Sequence, residues 1–171
     1  MPESSIDINK FLELNEFSNR KFLIFGEEPS LIVKVKNHAL AKEDLRMIEK
    51  VYLNMEQEDF EQNFHQAVLS NSLFNEKKAV FINLDKNRLN KGLIQAFQTI
   101  SEANTNNFIF IEVKSMTRKT ILKDVIPIFE SSAHIVECSM TYDSNVKDFL
   151  KANLPKIIND EKNINNLINM Y

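Results

Sequence analysis

The sequence predicts an α/β fold: a mostly parallel five-stranded sheet with helices on both faces. Two observations carry this. Short apolar runs of five or six residues (KFLIF, IEKVYL, AVFINL, FIFIEV, HIVEC) recur along the chain, and between them stand segments with apolar residues at helical spacing. Strands alternating with helices in this way imply βαβ units and parallel pairing. Hydrophobic residues make up 43% of the 171, enough for a real core, so a disordered chain is excluded.

Taken in order, Ile6–Phe17 reads as a helix with Ser4 or Ser5 as N-cap. Lys21–Phe25 is a short buried strand stopped by Gly26, and Glu27-Glu28-Pro29 is a turn that leads into a helix from Pro29 to about Glu43. Within it LIVKVK alternates as a strand would, but NHALAKEDL continues at helical spacing and decides for helix. Ile48–Leu53 is the second strand. Glu58–Leu69 is an amphipathic helix burying Phe60, Phe64, Ala67 and Val68. Ala79–Leu84 is the third strand, Leu89–Ala103 a helix with Leu93, Ala96, Phe97 and Ile100 inward, and Phe108–Val113 the fourth strand. Thr117–Ser131 is a helix that Pro127 ends or kinks, and His134–Cys138 is the fifth strand. From about Tyr142 only helical pattern remains, in Asn145–Ile158 and Asn163–Tyr171. The organisation expected is a first domain over 1–142 and the beginning of a small, truncated helical domain over 143–171.

Composition narrows the function. Only two glycines, Gly26 and Gly92, are present. Glycine-rich phosphate loops need at least two glycines close together, so no working nucleotide loop and no nucleotide cofactor are expected. Net charge is −3, which does not favour tight nucleic-acid binding by this chain alone. No apolar run approaches the roughly 18 residues of a membrane helix. The start, MPESSIDINKF, lacks a basic region followed by an apolar one, and the one cysteine, Cys138, forms no disulfide framework. A cytoplasmic location is expected.

Candidate chemistry is sparse. His38, His65 and His134 stand in three separate elements without partners at ligand spacing, so no metal site is expected, and Cys138 reads as a small buried thiol. Glu27, Glu28, Asp85, Lys114 and Thr117 follow strand ends, where ligands collect in open α/β sheets. That arrangement suggests a phosphoacceptor receiver taking a phosphoryl group on Asp85. Against it, Ser139-Met140-Thr141 follows the fifth strand where a receiver carries a lysine, and Glu27 and Glu28 also suit a helix N-terminus. Basic residues gather at Lys77, Lys78, Lys86, Arg88 and Lys91, and again at Lys114, Arg118, Lys119 and Lys123. Glu56, Glu58, Asp59 and Glu61 offset them, so a solvated face is the simpler reading. Finally, Ser70-Asn71-Ser72-Leu73-Phe74 places two large apolar residues just after a helix, flanked by polar ones. Such a pair tucks into the core or plugs a pocket on a partner, and spacing alone favours the core.

The run FLIFGEEP, the helix ending QAVLSNSLF, EKKAVFINL and FIFIEVKSM, in this order, resembles the delta subunit of the bacterial DNA polymerase III clamp loader. Gly26-Glu27-Glu28-Pro29 matches the family's turn after the first strand, and Ser72-Leu73-Phe74 its clamp-binding tip. The resemblance implies an AAA+-like domain with a degenerate phosphate loop, a helical lid from about residue 143, and no ATP hydrolysis, the enzymatic activity belonging to the polymerase assembly. It implies a role in DNA replication: binding the ring-shaped sliding clamp through Leu73 and Phe74, with Ser70, Asn71 and Ser72 shaping the approach, and helping to open the ring. It further implies contact with other loader subunits through domains beyond this chain, and with DNA in the full assembly. In some members a large apolar wedge precedes the Ser of the tip, where this chain has Asn71. The competing functions are the receiver phosphorylated on Asp85 and a degenerate nucleotide-binding domain that still holds ATP.

Overall fold

A computed structural model of the chain describes residues 6–42, 48–69 and 77–139. The chain divides into two units, Met1–Cys138 and Ser139–Tyr171, and the architecture below is that of the first. The expected boundary at Tyr142, the helices after it, the caps Ser4 and Ser5, and the tip residues 70–74 lie outside the described residues.

The strands form where the apolar runs stand. They are β2 (Lys21–Phe25), β3 (Glu49–Asn54), β4 (Lys78–Leu84), β5 (Phe108–Val113) and β6 (His134–Glu137). A two-residue strand, β1 (Ile6–Asp7), adds a sixth to the five expected. The sheet order is β1-β6-β2-β5-β4-β3, and every pairing is parallel. β2 and β5, in the middle, are buried almost throughout, as strands covered on both faces must be. The edge strand β3 is half exposed.

The helices are α1 (Ile8–Glu13), α2 (Pro29–Lys42), α3 (Phe60–Leu69) and α4 (Lys91–Glu102), followed by a helical segment made of α5 (Arg118–Thr120), a π turn (Ile121–Val125) and α6 (Ile126–Phe129). Which face each covers follows from handedness. Parallel crossovers are right-handed, so the direction of travel across the sheet decides the face. The chain travels one way from β1 to β2 and from β2 to β3, and the opposite way from β3 through β4 and β5 to β6. α1 and α2 therefore share one face, and α3, α4 and the α5–α6 segment the other. Packing agrees. Phe60, Phe64, Leu93, Phe97, Ile121 and Phe129 form one core with Leu23, Phe25, Val80, Ile82, Ile109 and Ile111. On the other face Phe11 of α1 meets Phe22 edge-on at 6.0 Å, and α2 buries Leu31, Ile32, Val35, Ala39 and Leu40. That spacing is helical, which settles the ambiguity of LIVKVK.

The α1–α2 face carries an aromatic row that crosses five strands in register. Tyr52, Phe81, Phe110, Phe22 and His134 are direct cross-strand partners. Their rings stack successively at 5.1, 5.0, 4.9 and 5.5 Å. Tyr52, at the sheet edge, stays 68% exposed, while Phe22 and Phe110 are fully buried.

Two expectations are corrected. Ile6–Phe17 is not one helix. Ile6 and Asp7 pair with Val136 and Glu137 of β6, whose outer edge would otherwise leave backbone groups unpaired. The helix then ends at Glu13, and Phe17 turns back to stack on Phe11 at 5.4 Å and to meet Phe22 at 5.3 Å. Pro127, expected to end or kink its helix, does not end it. The preceding turn widens, with the Ile126 N–H donating to Ile121 C=O five residues back, and Pro127 sits in the first turn of α6, where its missing N–H costs little.

Candidate functional site at the two edges of the sheet

The carboxyl edge comes first, because ligands of open α/β sheets bind there, where the strand order reverses. That point lies beside β2. Its end runs into Gly26, whose φ of 134° is open to glycine and strained for other residues. A Cβ at Gly26 would stand 2.0 Å from the Cys138 carbonyl oxygen. The turn is stapled to the end of β6: Cys138 N–H donates to Phe25 C=O at 2.6 Å, and Glu28 N–H donates to Cys138 C=O at 3.2 Å. One Glu28 carboxylate oxygen then accepts from Ser30 N–H at 3.2 Å and from Ser30 Oγ at 2.8 Å. The helix N-terminus that could hold a phosphate thus already holds the protein's own carboxylate. Glu27, exposed beside it, adds a second negative charge.

The neighbouring strand ends hold ion pairs. Ser115 Oγ donates to Asp85 Oδ1, and Asp85 N–H donates to Glu56 Oε1 at 3.0 Å. Lys36 and Lys114 both pair with the buried Glu112. Arg118 makes a two-point contact with Glu137, at 2.6 and 3.0 Å. The fold brings the loops after β4 and β5 to this one edge, so Lys86, Arg88 and Lys91 join Lys114, Arg118 and Lys119 there. Lys86 also faces Glu56 at 3.7 Å.

The receiver reading does not survive this topology. A receiver sets its acceptor strand directly beside its first strand. Here β5 lies between β2 and β4, which parts Glu27 and Glu28 from Asp85. Among the described residues no three His, Cys, Asp or Glu side chains are placed to hold a metal ion.

Two of the three histidines have structural roles, and the third, His65, is exposed on α3. His38 Nε2 lies 3.1 Å from Leu14 C=O, to which it donates. His134 Nε2 accepts from Asn19 N–H at 3.3 Å, and burial lowers the pKa of its ring. Both pack against Phe11 and Phe17. Burial, reinforced by the Glu112 and Glu137 carboxylates, pushes the Cys138 thiol up to about 12. It is therefore protonated at neutral pH and a poor nucleophile.

The amino edge of the sheet holds a second arrangement, which the sequence did not disclose. α3 ends at Leu69 and β4 begins at Lys78, so the chain leaves and re-enters the described fold at this edge. Between those two points stands Asn107, at the entry to β5 and 8% exposed. Its side-chain Nδ2 donates to Val68 C=O at 3.3 Å, and its Oδ1 accepts from Lys78 N–H at 2.9 Å. Its own N–H donates to Thr105 Oγ1 at 3.1 Å. The sequence carries no signal for this role, because the burial of Asn107 and the meeting of its partners arise only in the folded sheet. Ser70, Asn71, Ser72, Leu73 and Phe74 fall between the two flanks, outside the described residues.

The family model for the DNA polymerase III, delta subunit matches residues 22–139, more than half of the chain. The chain belongs to that family. The matched region contains both edges just described. In fold, this delta-family chain is similar to the Bacillus subtilis DNA clamp loader delta protein YqeN, with a TM-score of 0.58 and 12% identity, over 85% of this chain and 45% of that one. It therefore spans less than half the length of that protein. It is also similar to Rif2, solved in complex with the C-terminal domain of Rap1, with a TM-score of 0.50 and 13% identity, over 95% of this chain and 64% of that one. At such identities the likeness is one of fold. No curated protein matches the chain in sequence. Among the described residues of this delta-family chain, no helix is long and apolar enough to cross a membrane.

Proposed function

We propose that the chain is the clamp-binding part of a clamp-loader subunit, without catalytic activity of its own. It grips the sliding clamp by inserting Leu73 and Phe74 into an apolar pocket, with Ser70, Asn71 and Ser72 shaping the approach, and helps to open the ring at one interface. Membership of the delta family, over a stretch that includes these residues, carries the reading. The self-filled helix N-terminus at Glu28 supports the non-catalytic part, since a nucleotide's phosphates would meet two carboxylates instead of free N–H groups. The other loader subunits and DNA are met in the full assembly. With Asn71 in place of an apolar residue before Ser72, the opening force comes from the Leu-Phe anchor rather than from a wedge.

The test is release of clamps preloaded on nicked circular DNA. The wild-type chain is expected to speed release without ATP, and the Leu73→Ala/Phe74→Ala variant is expected to leave the clamps in place. Equal release by both would sink the reading.

A further inference from the structure

We propose that Asn107 is a positioning residue for the clamp-binding segment, holding the two flanks between which Leu73 and Phe74 are strung. This rests on the clamp-binding reading above. The geometry is specific. A single buried amide satisfies the C=O of Val68, near the end of α3, and the N–H of Lys78, at the start of β4. Those groups lie 39 and 29 residues away from Asn107 in sequence. Nothing in local helix or sheet pairing requires one side chain to serve both. Asn suits the task because it offers a donor and an acceptor on one short planar group. Its own backbone is held in turn, by the bond from Asn107 N–H to Thr105 Oγ1, so the amide is aimed by the loop that precedes β5.

The consequence concerns binding more than folding. A binding segment whose two ends are tied loses less conformational freedom on docking than one whose flanks can fray. With the staple cut, the link between the last turn of α3 and the first residue of β4 is lost, and part of the ordering cost moves to the moment of clamp binding. Asn107→Leu keeps the approximate shape and removes both bonds. Clamp affinity is expected to fall about tenfold, the scale of one or two net hydrogen bonds.

The experiment measures clamp affinity by calorimetric titration for four chains: wild type, Asn107→Leu, Leu73→Ala/Phe74→Ala, and Val136→Ala, a core truncation in β6 that destabilises the fold two strands away from β5, at whose entry Asn107 stands. Amide hydrogen exchange at Lys78 is followed in the first two. The expected result is a weakened Asn107→Leu chain with faster Lys78 exchange, beside Val136→Ala at wild-type affinity. If Asn107→Leu does not fold, Asn107→Asp replaces it, since that variant keeps the acceptor for Lys78 and loses the donor to Val68. Wild-type affinity in the folded Asn107 variant overturns the proposal and leaves clamp binding standing. Equal weakening by Val136→Ala reduces Asn107 to a general stabiliser and overturns it as well. Failure of the wild-type chain to bind the clamp, or binding indifferent to the Leu73→Ala/Phe74→Ala change, overturns the clamp reading and this inference with it.

Discussion

At the scale of single residues, Gly26 decides how β2 ends. The sheet requires β2 and β6 to close against each other just where the chain leaves β2. The Cys138 carbonyl occupies the space of a side chain there, 2.0 Å from where a Cβ would stand. The backbone is also at φ 134°, which side-chain-bearing residues rarely adopt. Gly26→Ala is therefore expected to destabilise the chain by about 3 kcal/mol or more, read as a lower urea midpoint. An unchanged midpoint would mean that this turn is looser than described. Gly92 makes the contrast: the nearest atom to a Cβ there is the Asn90 side chain at 3.4 Å, an ordinary contact. The scarcity of glycine in the sequence excluded a phosphate loop. It could not show that Glu28 takes the vacant role by bonding to Ser30, because a carboxylate at that spacing serves equally as a solvated turn residue.

At the scale of elements, the aromatic row is the largest feature that no local pattern disclosed. Each ring lies in a different strand, and only the register aligns Tyr52, Phe81, Phe110, Phe22 and His134. Phe110 stands at its centre, stacked on Phe81 and Phe22 and fully buried. Phe110→Ala is expected to cost about 3–5 kcal/mol, as large-to-small changes in a packed core do. Chemical denaturation checks this, and a loss below about 1 kcal/mol would show that the row does not act as packing. The five long strands and most helices were legible because apolar runs and helical spacing are local signals. Lys21–Phe25 and Phe108–Val113 were placed to the residue. β1 was not legible, because Ile6 and Asp7 become a strand only where the edge of β6 is on offer. The early stop of α1 was hidden for the same reason, since Phe17 is drawn away by Phe11 and Phe22, distant contacts that sequence spacing does not report. Pro127 was legible as a disturbance, but not that a π turn would absorb it. Asn107 was invisible as well, since its two partners, near the end of α3 and at the start of β4, meet it only in the folded sheet.

At the scale of the whole molecule, the right-handed crossovers place two helices on one face of a parallel sheet and three helical segments on the other. They leave an edge at each end for function. At the carboxyl edge, where nucleotides bind in related architectures, the turn after β2 is closed by Glu28 and the Cys138 staple, and ion pairs join the neighbouring strand ends. The amino edge carries the flanks of the segment proposed to bind the clamp. The central claim is that Leu73 and Phe74 anchor the sliding clamp. Burying such side chains stabilises a complex by about 1.5–3 kcal/mol each, and central anchors cost roughly 2–4 kcal/mol each on truncation. The most direct measurement is calorimetric titration of the chain with the sliding clamp of the same organism, wild type beside Leu73→Ala/Phe74→Ala, with folding of both checked by circular dichroism. The account predicts saturable binding by the wild type and a loss of at least about a hundredfold in the double variant. Equal affinity of the two folded chains, or no binding by either, would contradict it.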